Sequence, residues 1–204
     1  EWVWEALDIN GETYRYQQYE QAFTQPNASV NTRMIGWACQ QAANLDGDLL
    51  ELYCGNGNFT LPLSREFNNV VATELAKVSV RAARENIRVN GIDNIQMIRL
   101  AAEEVTQAMR RDREFRRLAD LPKPLHEYEL KTVFVDPPRA GLDAQTVQMV
   151  ASFDTIIYIS CNPETLAENL AVLGNSHRVG QFALFDQFPY TDHMECGVVL
   201  HRKA

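Results

Sequence analysis

The stretch LLELYCGNGNFT, residues 49–60, runs an apolar strand into a turn built on Gly55, Asn56 and Gly57 and then into a helix. Glycines at such a junction let the backbone come close to a ligand at the carboxyl edge of a parallel sheet, where doubly wound folds hold their cofactors. Tyr53 stands where a pyrophosphate-binding GxGxxG loop has its first glycine, and Asn58 follows Gly57, so a dinucleotide loop is disfavoured. Alone, the pattern fits a bare strand-to-helix turn equally well. Its weight comes from what surrounds it.

Outward from this point, strands and helices alternate. Apolar runs predict strands near 48–54, 69–74, 94–100, 130–135 and 155–160. Helices are expected near 58–66, 76–90, 101–118 and 143–152, and in SVNTRMIGWACQQAAN, where Val30, Met34, Trp37, Ala38 and Ala42 share one face. Alternation of this kind implies right-handed crossovers and a buried parallel sheet. After a helix from about Pro163 to Leu173, two apolar segments near 178–185 and 196–201 have no helix between them. They read as an antiparallel pair at the sheet edge, which gives seven strands and not six parallel ones. The stretch Ala119–Glu129, with Pro122 and Pro124, reads as a connecting loop.

Upstream, residues Trp2 to Gln18 alternate apolar and polar side chains around Asn10-Gly11, a hairpin turn signal. The chain does not open on methionine, and a lone hairpin is marginal in water. Residues 1–24 are therefore expected to be the remnant of another domain, and residues 25–204 the catalytic domain.

With 204 residues, 46% hydrophobic and 23% charged, the composition suits one globular unit and not a disordered one. No run reaches the roughly 20 apolar residues of a membrane span, and EWVWEALDIN has no signal-peptide character, so a cytoplasmic protein is expected. A net charge of −8, from 19 basic and 27 acidic side chains, argues against nucleic-acid binding by the whole surface. Local basic runs remain: RRDREFRR at 110–117, and Arg81, Arg84 and Arg88 on one predicted helix. Cys39, Cys54, Cys161 and Cys196 show no CxxC pairing, so neither a zinc site nor any other metal is expected.

Four further positions carry chemistry. Glu74 ends the second strand, where a carboxylate can accept both hydroxyls of a ribose. In VFVDPPRAGL, Asp136 leaves a buried strand and two prolines stiffen the next turn, up to Arg139. In IIYISCNPETL, Cys161 precedes a helix that starts near Pro163, and positive potential there should lower the thiol pKa and make a nucleophile. Cys39 and Cys54 read as small core residues. In LFDQFPYTDHMECGVVL, Glu195 or His193 can reach the Cys161 region as a proton acceptor.

Taken in order, glycine loop, ribose acid, DPPR, SCNP and HMEC resemble the class I methyltransferases that use S-adenosylmethionine, a Rossmann-like α/β fold of seven strands with the last antiparallel. More closely, the chain is similar to the RNA uracil-5-methyltransferases, from FTQPN at 23–27 to FPYTDHMECGV. The DPPR and HMEC forms favour those acting on the T-loop of tRNA over those acting on ribosomal RNA. The resemblance implies cofactor contacts at Gln25, Tyr53, Gly55, Asn58, Glu74 and Asp136. It also implies a nucleophile at Cys161, a general base at Glu195, and Phe23 and Arg139 beside the target base. The expected partners are S-adenosylmethionine and tRNA, with no membrane and no metal; a monomer is the default expectation. Two rivals stand beside this reading. A non-catalytic RNA-binding domain would not need Cys161 with Glu195, and a nicotinamide-dependent oxidoreductase would need GxGxxG.

Overall fold

In a sheet covered by helices on both faces, every side chain of a central strand is buried, and the strand reads as a continuous apolar run. The computed structural model describes residues 1–20, 22–191 and 193–203, and five strands of its main sheet run parallel. They are β3 (Asp48–Leu52), β4 (Val70–Glu74), β5 (Ile95–Arg99), β6 (Leu130–Val135) and β7 (Thr155–Ser160). All five positions of β3 are buried. Two strands precede them, β1 (Trp2–Ile9) and β2 (Glu12–Tyr19), and two follow, β8 (His177–Phe185) and β9 (Glu195–Arg202).

The main sheet has the order β5-β4-β3-β6-β7-β9-β8, seven strands, with β9 antiparallel to both β7 and β8. This is the expected seven-stranded sheet. The helices are α1 (Ala28–Ala42), α2 (Thr60–Leu63), α3 (Lys77–Val89), α4 (Ala102–Met109), α5 (Ala144–Val150) and α6 (Pro163–Leu173). The apolar residues divide into two clusters, one on each face. One joins Leu50, Val133, Ile156 and Val198 to α5 and α6; the other joins Leu49, Phe134, Ile157 and Val199 to α1. No helix among the described residues is long and apolar enough to cross a membrane.

The hairpin β1-β2 turns through Asn10 and Gly11, both at positive φ, as a two-residue turn requires. Its inner face does not stand alone: Leu7, Ile9, Tyr14 and Tyr16 are buried in the cluster that contains α1.

The expected helix over 101–118 is half as long. It ends at Met109, Arg111 takes φ +60, and the chain resumes only as a 3-10 turn over Arg116–Asp120. Five arginines with two acids offer no apolar stripe to bury, so nothing holds a helix against the sheet there. Phe115 and Leu118 still reach the core, and Arg113 stacks over the Phe115 ring at 4.8 Å. The expected helix over 58–66 is likewise one short turn, Thr60–Leu63, continued by a 3-10 turn over Ser64–Glu66.

The approach of α1 to β9 is set by Gly197, whose absent Cβ would lie 2.6 Å from the Trp37 ring. The ring cannot retreat freely, because it also packs edge-on against Phe185 at 5.8 Å. Gly197→Ala should therefore cost about 1–3 kcal/mol by overpacking. Urea unfolding should show a lower midpoint with an unchanged slope.

Candidate active site

Each parallel strand ends at the same edge of the sheet, and there the loops after β3, β4, β6 and β7 meet the start of β9. Between them lies a cavity of about 630 Å³. All ten residues singled out in the sequence line it: Phe23, Gln25, Tyr53, Gly55, Asn58, Glu74, Asp136, Arg139, Cys161 and Glu195. Phe23 stands at its mouth, 73% exposed. His193 lies outside, exposed, with its Nε2 3.5 Å from the Arg139 guanidinium. Of the two candidate proton acceptors, only Glu195 faces the cavity.

The loop after β3 is tightly specified. Tyr53, Gly55 and Gly57 all have positive φ, and a Cβ on Gly57 would meet Leu61 Cδ1 at 2.6 Å. The Glu74 carboxylate accepts the Gly55 N–H at 3.1 Å and the Ala76 N–H at 2.7 Å, so the acid that ends β4 also fixes the turn after β3. Asn58 is held by a reciprocal amide pair with buried Asn31, at 2.8 and 2.9 Å. Gln25 accepts from Gln187 Nε2 at 2.6 Å.

The loop after β6 is joined to the loop after β7. The Arg139 carbonyl accepts from Asn162 Nδ2 at 3.0 Å and from Thr165 Oγ1 at 3.1 Å. Asn162 in turn caps α6, its side chain accepting the Glu164 N–H at 3.1 Å. The thiol of Cys161 thus sits just before a capped helix, beside Arg139.

Burial dominates the electrostatics. Asp136 keeps some surface at the cavity wall, yet its surroundings are almost wholly protein, and burial with the nearby Glu195 charge pushes it up to about 8. Glu195, 2% exposed, is pushed up to about 7 by burial, against the pull of Arg139. The expectation of a lowered Cys161 pKa does not hold in this state. Burial raises it first, then the charges of Glu195 and Asp136, and Arg139 offsets only part. Burial and two carboxyl groups outweigh one guanidinium.

One residue of the site went unnoticed in the sequence. Glu51, in the middle of β3, is 1% exposed and lines the cavity floor; burial and Asp136 push it up to about 8. An acid inside the apolar run LLEL was the visible signal. Gln187, buried and orienting Gln25, carried none. Among the described residues, Glu195 Oε2 has no hydrogen-bond partner, and Glu51 has only the Thr60 hydroxyl beside it. Buried acceptors short of donors, on the wall of one cavity, suit a ligand that carries positive charge and N–H groups, as S-adenosylmethionine does.

The fold is the α/β architecture of the class I, S-adenosylmethionine-dependent methyltransferases. The structure superposes on the Pyrococcus abyssi tRNA (uracil-54, C5)-methyltransferase in complex with S-adenosyl-L-homocysteine with a TM-score of 0.75, at 26% identity, covering 98% of this chain and 44% of that one. A Thermus thermophilus 16S rRNA N2 G1207 methyltransferase shares the fold at 18% identity and TM-score 0.64, covering 100% of this chain and 51% of that one. Residues 1–203 match the family described as tRNA (Uracil-5-)-methyltransferase, and the chain belongs to that family. The tRNA/tmRNA (uracil-C(5))-methyltransferases of Vibrio parahaemolyticus and Saccharophagus degradans are each 58% identical to it over the whole chain. The chain spans 55% of the length of each.

Glu51 gives a test of this electrostatic picture. A carboxyl whose folded pKa is raised binds its proton more tightly when folded, so stability falls as pH climbs from its ordinary 4.5 toward about 8 and then levels. Glu51→Gln removes that loss. Its melting temperature should equal the parent's near pH 5 and exceed it by a growing margin up to pH 8. Parallel curves for parent and variant across that range would show that Glu51 ionises normally.

Proposed function

We propose that this protein methylates carbon 5 of a uridine in the T-loop of tRNA, with Cys161 as covalent nucleophile and Glu195 as general base. The observation that carries the reading is the convergence of Cys161, Asp136, Arg139 and Glu195 on one cavity that Asn58, Glu74 and the glycine loop also line. Residues 25–204 act as the catalytic domain, and residues 1–24 as part of a second unit that helps carry RNA. A tRNA substrate places the work in the cytoplasm. The relatives named above carry tmRNA in their names too, and a tmRNA transcript would test that substrate here.

Gln25, Tyr53, Gly55, Asn58, Glu74 and Asp136 hold the cofactor, which supplies an electrophilic methyl group on a sulfonium centre. Carbon 5 of uracil is too poor a nucleophile to take that methyl by itself. Addition of the Cys161 thiolate to carbon 6 makes carbon 5 an enolate carbon. The Cys161 proton must leave first, and a cation in the cavity draws both the thiol and the neighbouring carboxyls toward their ionised forms. After methylation carbon 5 carries one proton too many. Glu195, poised near neutrality, removes it, and elimination then expels the Cys161 thiolate. Arg139 lies where it can face the base, and Phe23, at the mouth, offers a ring for stacking. The target must swing out of its loop to enter, which RNA loops allow at low cost.

Cys161→Ala should abolish methylation and leave cofactor affinity within about twofold, since the thiol meets the uracil and not the sulfonium. A 5-fluorouridine tRNA should form a denaturation-stable adduct with the parent protein only. An adduct with Cys161→Ala would move the nucleophile elsewhere.

Glu195→Gln should still add to carbon 6 and accept methyl, and then stall. A methylated covalent protein–RNA species should accumulate, and the rise of rate with pH through about 7 should vanish. Normal turnover by Glu195→Gln, with stalling in His193→Ala, would assign the proton step to His193.

A further inference from the structure

A second depression, of about 430 Å³, lies between the hairpin and α3, lined by Trp2, Gln17, Tyr19, Arg81, Arg84, Glu85 and Arg88. Register explains its hairpin wall: Trp2 pairs with Tyr19 and Trp4 with Gln17, so these four side chains share one face of β1-β2. Trp2 and Trp4 stand 49% and 46% exposed, ring against ring edge-on at 5.7 Å. Facing them, α3 presents one arginine per turn. Arg81 stacks on Tyr19 at 4.7 Å and donates to its hydroxyl at 2.9 Å. Arg84 donates only to the Met97 carbonyl, at 3.4 Å, and Arg88 is paired with Glu85 at 2.7 Å. The groove therefore keeps a positive surplus on a chain whose net charge is −8.

The groove adjoins the cavity. Gln18 and Ser79 line the cavity while their neighbours Gln17, Tyr19 and Arg81 line the groove, so the end of β2 and the first turns of α3 form the wall between them. Flat aromatic faces beside arginines in excess of acids are what a single-stranded nucleic acid uses, bases on the rings and phosphates on the guanidinium groups. A protein segment packed on the tryptophans would gain nothing from Arg81 and Arg84 unless it were acidic.

We propose that this groove seats the unpaired nucleotides flanking the target uridine, with Trp2 and Trp4 as stacking surface and Arg84 and Arg88 on phosphates. The proposal rests on the reading of the cavity as an RNA-modifying site. It goes beyond that reading by naming where the strand runs outside the cavity.

The test uses the full-length protein, a transcribed tRNA and filter binding at several salt concentrations. Arg84→Ala with Arg88→Ala should weaken binding at least tenfold and flatten the log–log salt slope by about 1.4, from roughly 0.7 per lost phosphate contact on a single strand. Arg84→Lys with Arg88→Lys should restore the slope. Trp2→Ala with Trp4→Ala should weaken binding about tenfold with the slope unchanged, and the double Phe variant should recover most of it. Adenosylhomocysteine affinity by calorimetry should stay at the parent value in all four, which separates loss of the groove from loss of the fold. Iodide should quench Trp2 and Trp4 in the free protein and lose that access when tRNA is added. Parent-like tRNA affinity in both alanine variants would overturn the groove and leave the proposed activity standing. Tryptophans shielded from iodide before any RNA is added would also overturn it, in favour of a protein occupant. A parent protein that binds no RNA would sink both readings.

Discussion

Strands that run parallel must end together, and the placement of every reactive group in this protein follows from that. Val135 is in register with Tyr158, and Leu52 with Val135, so the chain leaves β3, β6 and β7 side by side. One residue past β6 comes Asp136, one past β7 comes Cys161, and the glycine loop follows β3 within three. Glu195 could not join them from another parallel strand, since its place is at a strand's start. It joins because β9 runs the other way: Cys196 pairs with Ser160, which sets Glu195 beside the exit of β7. The reversed strand is what places Glu195 beside Cys161.

That convergence concentrates like charge. Glu51, Asp136 and Glu195 share one cavity wall, each pushed up by burial, Glu51 further by Asp136 and Asp136 further by Glu195. The thiol beside them inherits the same field and is held protonated. Arg139 is the positive charge that opposes this, and it offsets only part.

Much of this was legible in the residues, for a physical reason: buried parallel strands are written as unbroken apolar runs, and chemistry sits where such a run stops. DPP and SCNP announce their strand ends with a residue that cannot continue a ladder. The seven-stranded order followed from the missing helix between 185 and 195. What failed was local. The run at 110–117 has the length and composition of a helix but no face to bury, and periodicity without a partner surface does not hold a helix. The thiol pKa failed because a helix end is visible in sequence, while the burial of the thiol and its closeness to Glu195 and Asp136 appear only in the fold. Glu51 was readable as an acid amid LLEL, though only the fold shows that it looks into the cavity. The role of Gln187, 162 residues from Gln25, has no local signature at all.

The hairpin is bound to the cofactor loop by side-chain amides, and this gives the groove its mechanical meaning. Asn86 of α3 and Asn90 at its C-cap accept the Gln17 and Arg15 backbone N–H groups at 2.6 and 2.9 Å, as a neighbouring strand would. Asn86 also donates to the Asn56 carbonyl at 2.9 Å, and Asn56 Nδ2 donates to Gln18 Oε1 at 2.6 Å. Tyr16, wholly buried, donates to the Asn58 carbonyl at 3.0 Å. The turn that shapes the cofactor end of the cavity is thus clamped between β2 and α3, the same two elements that form the groove. Amides of Asn and Gln suit this task because each offers both donor and acceptor, and a closed set leaves few buried polar atoms to be satisfied by movement. An RNA strand on the hairpin, as proposed above, would consequently be held in fixed relation to the cavity. Such preorganisation is what a reaction needs when its two substrates must meet within bonding distance.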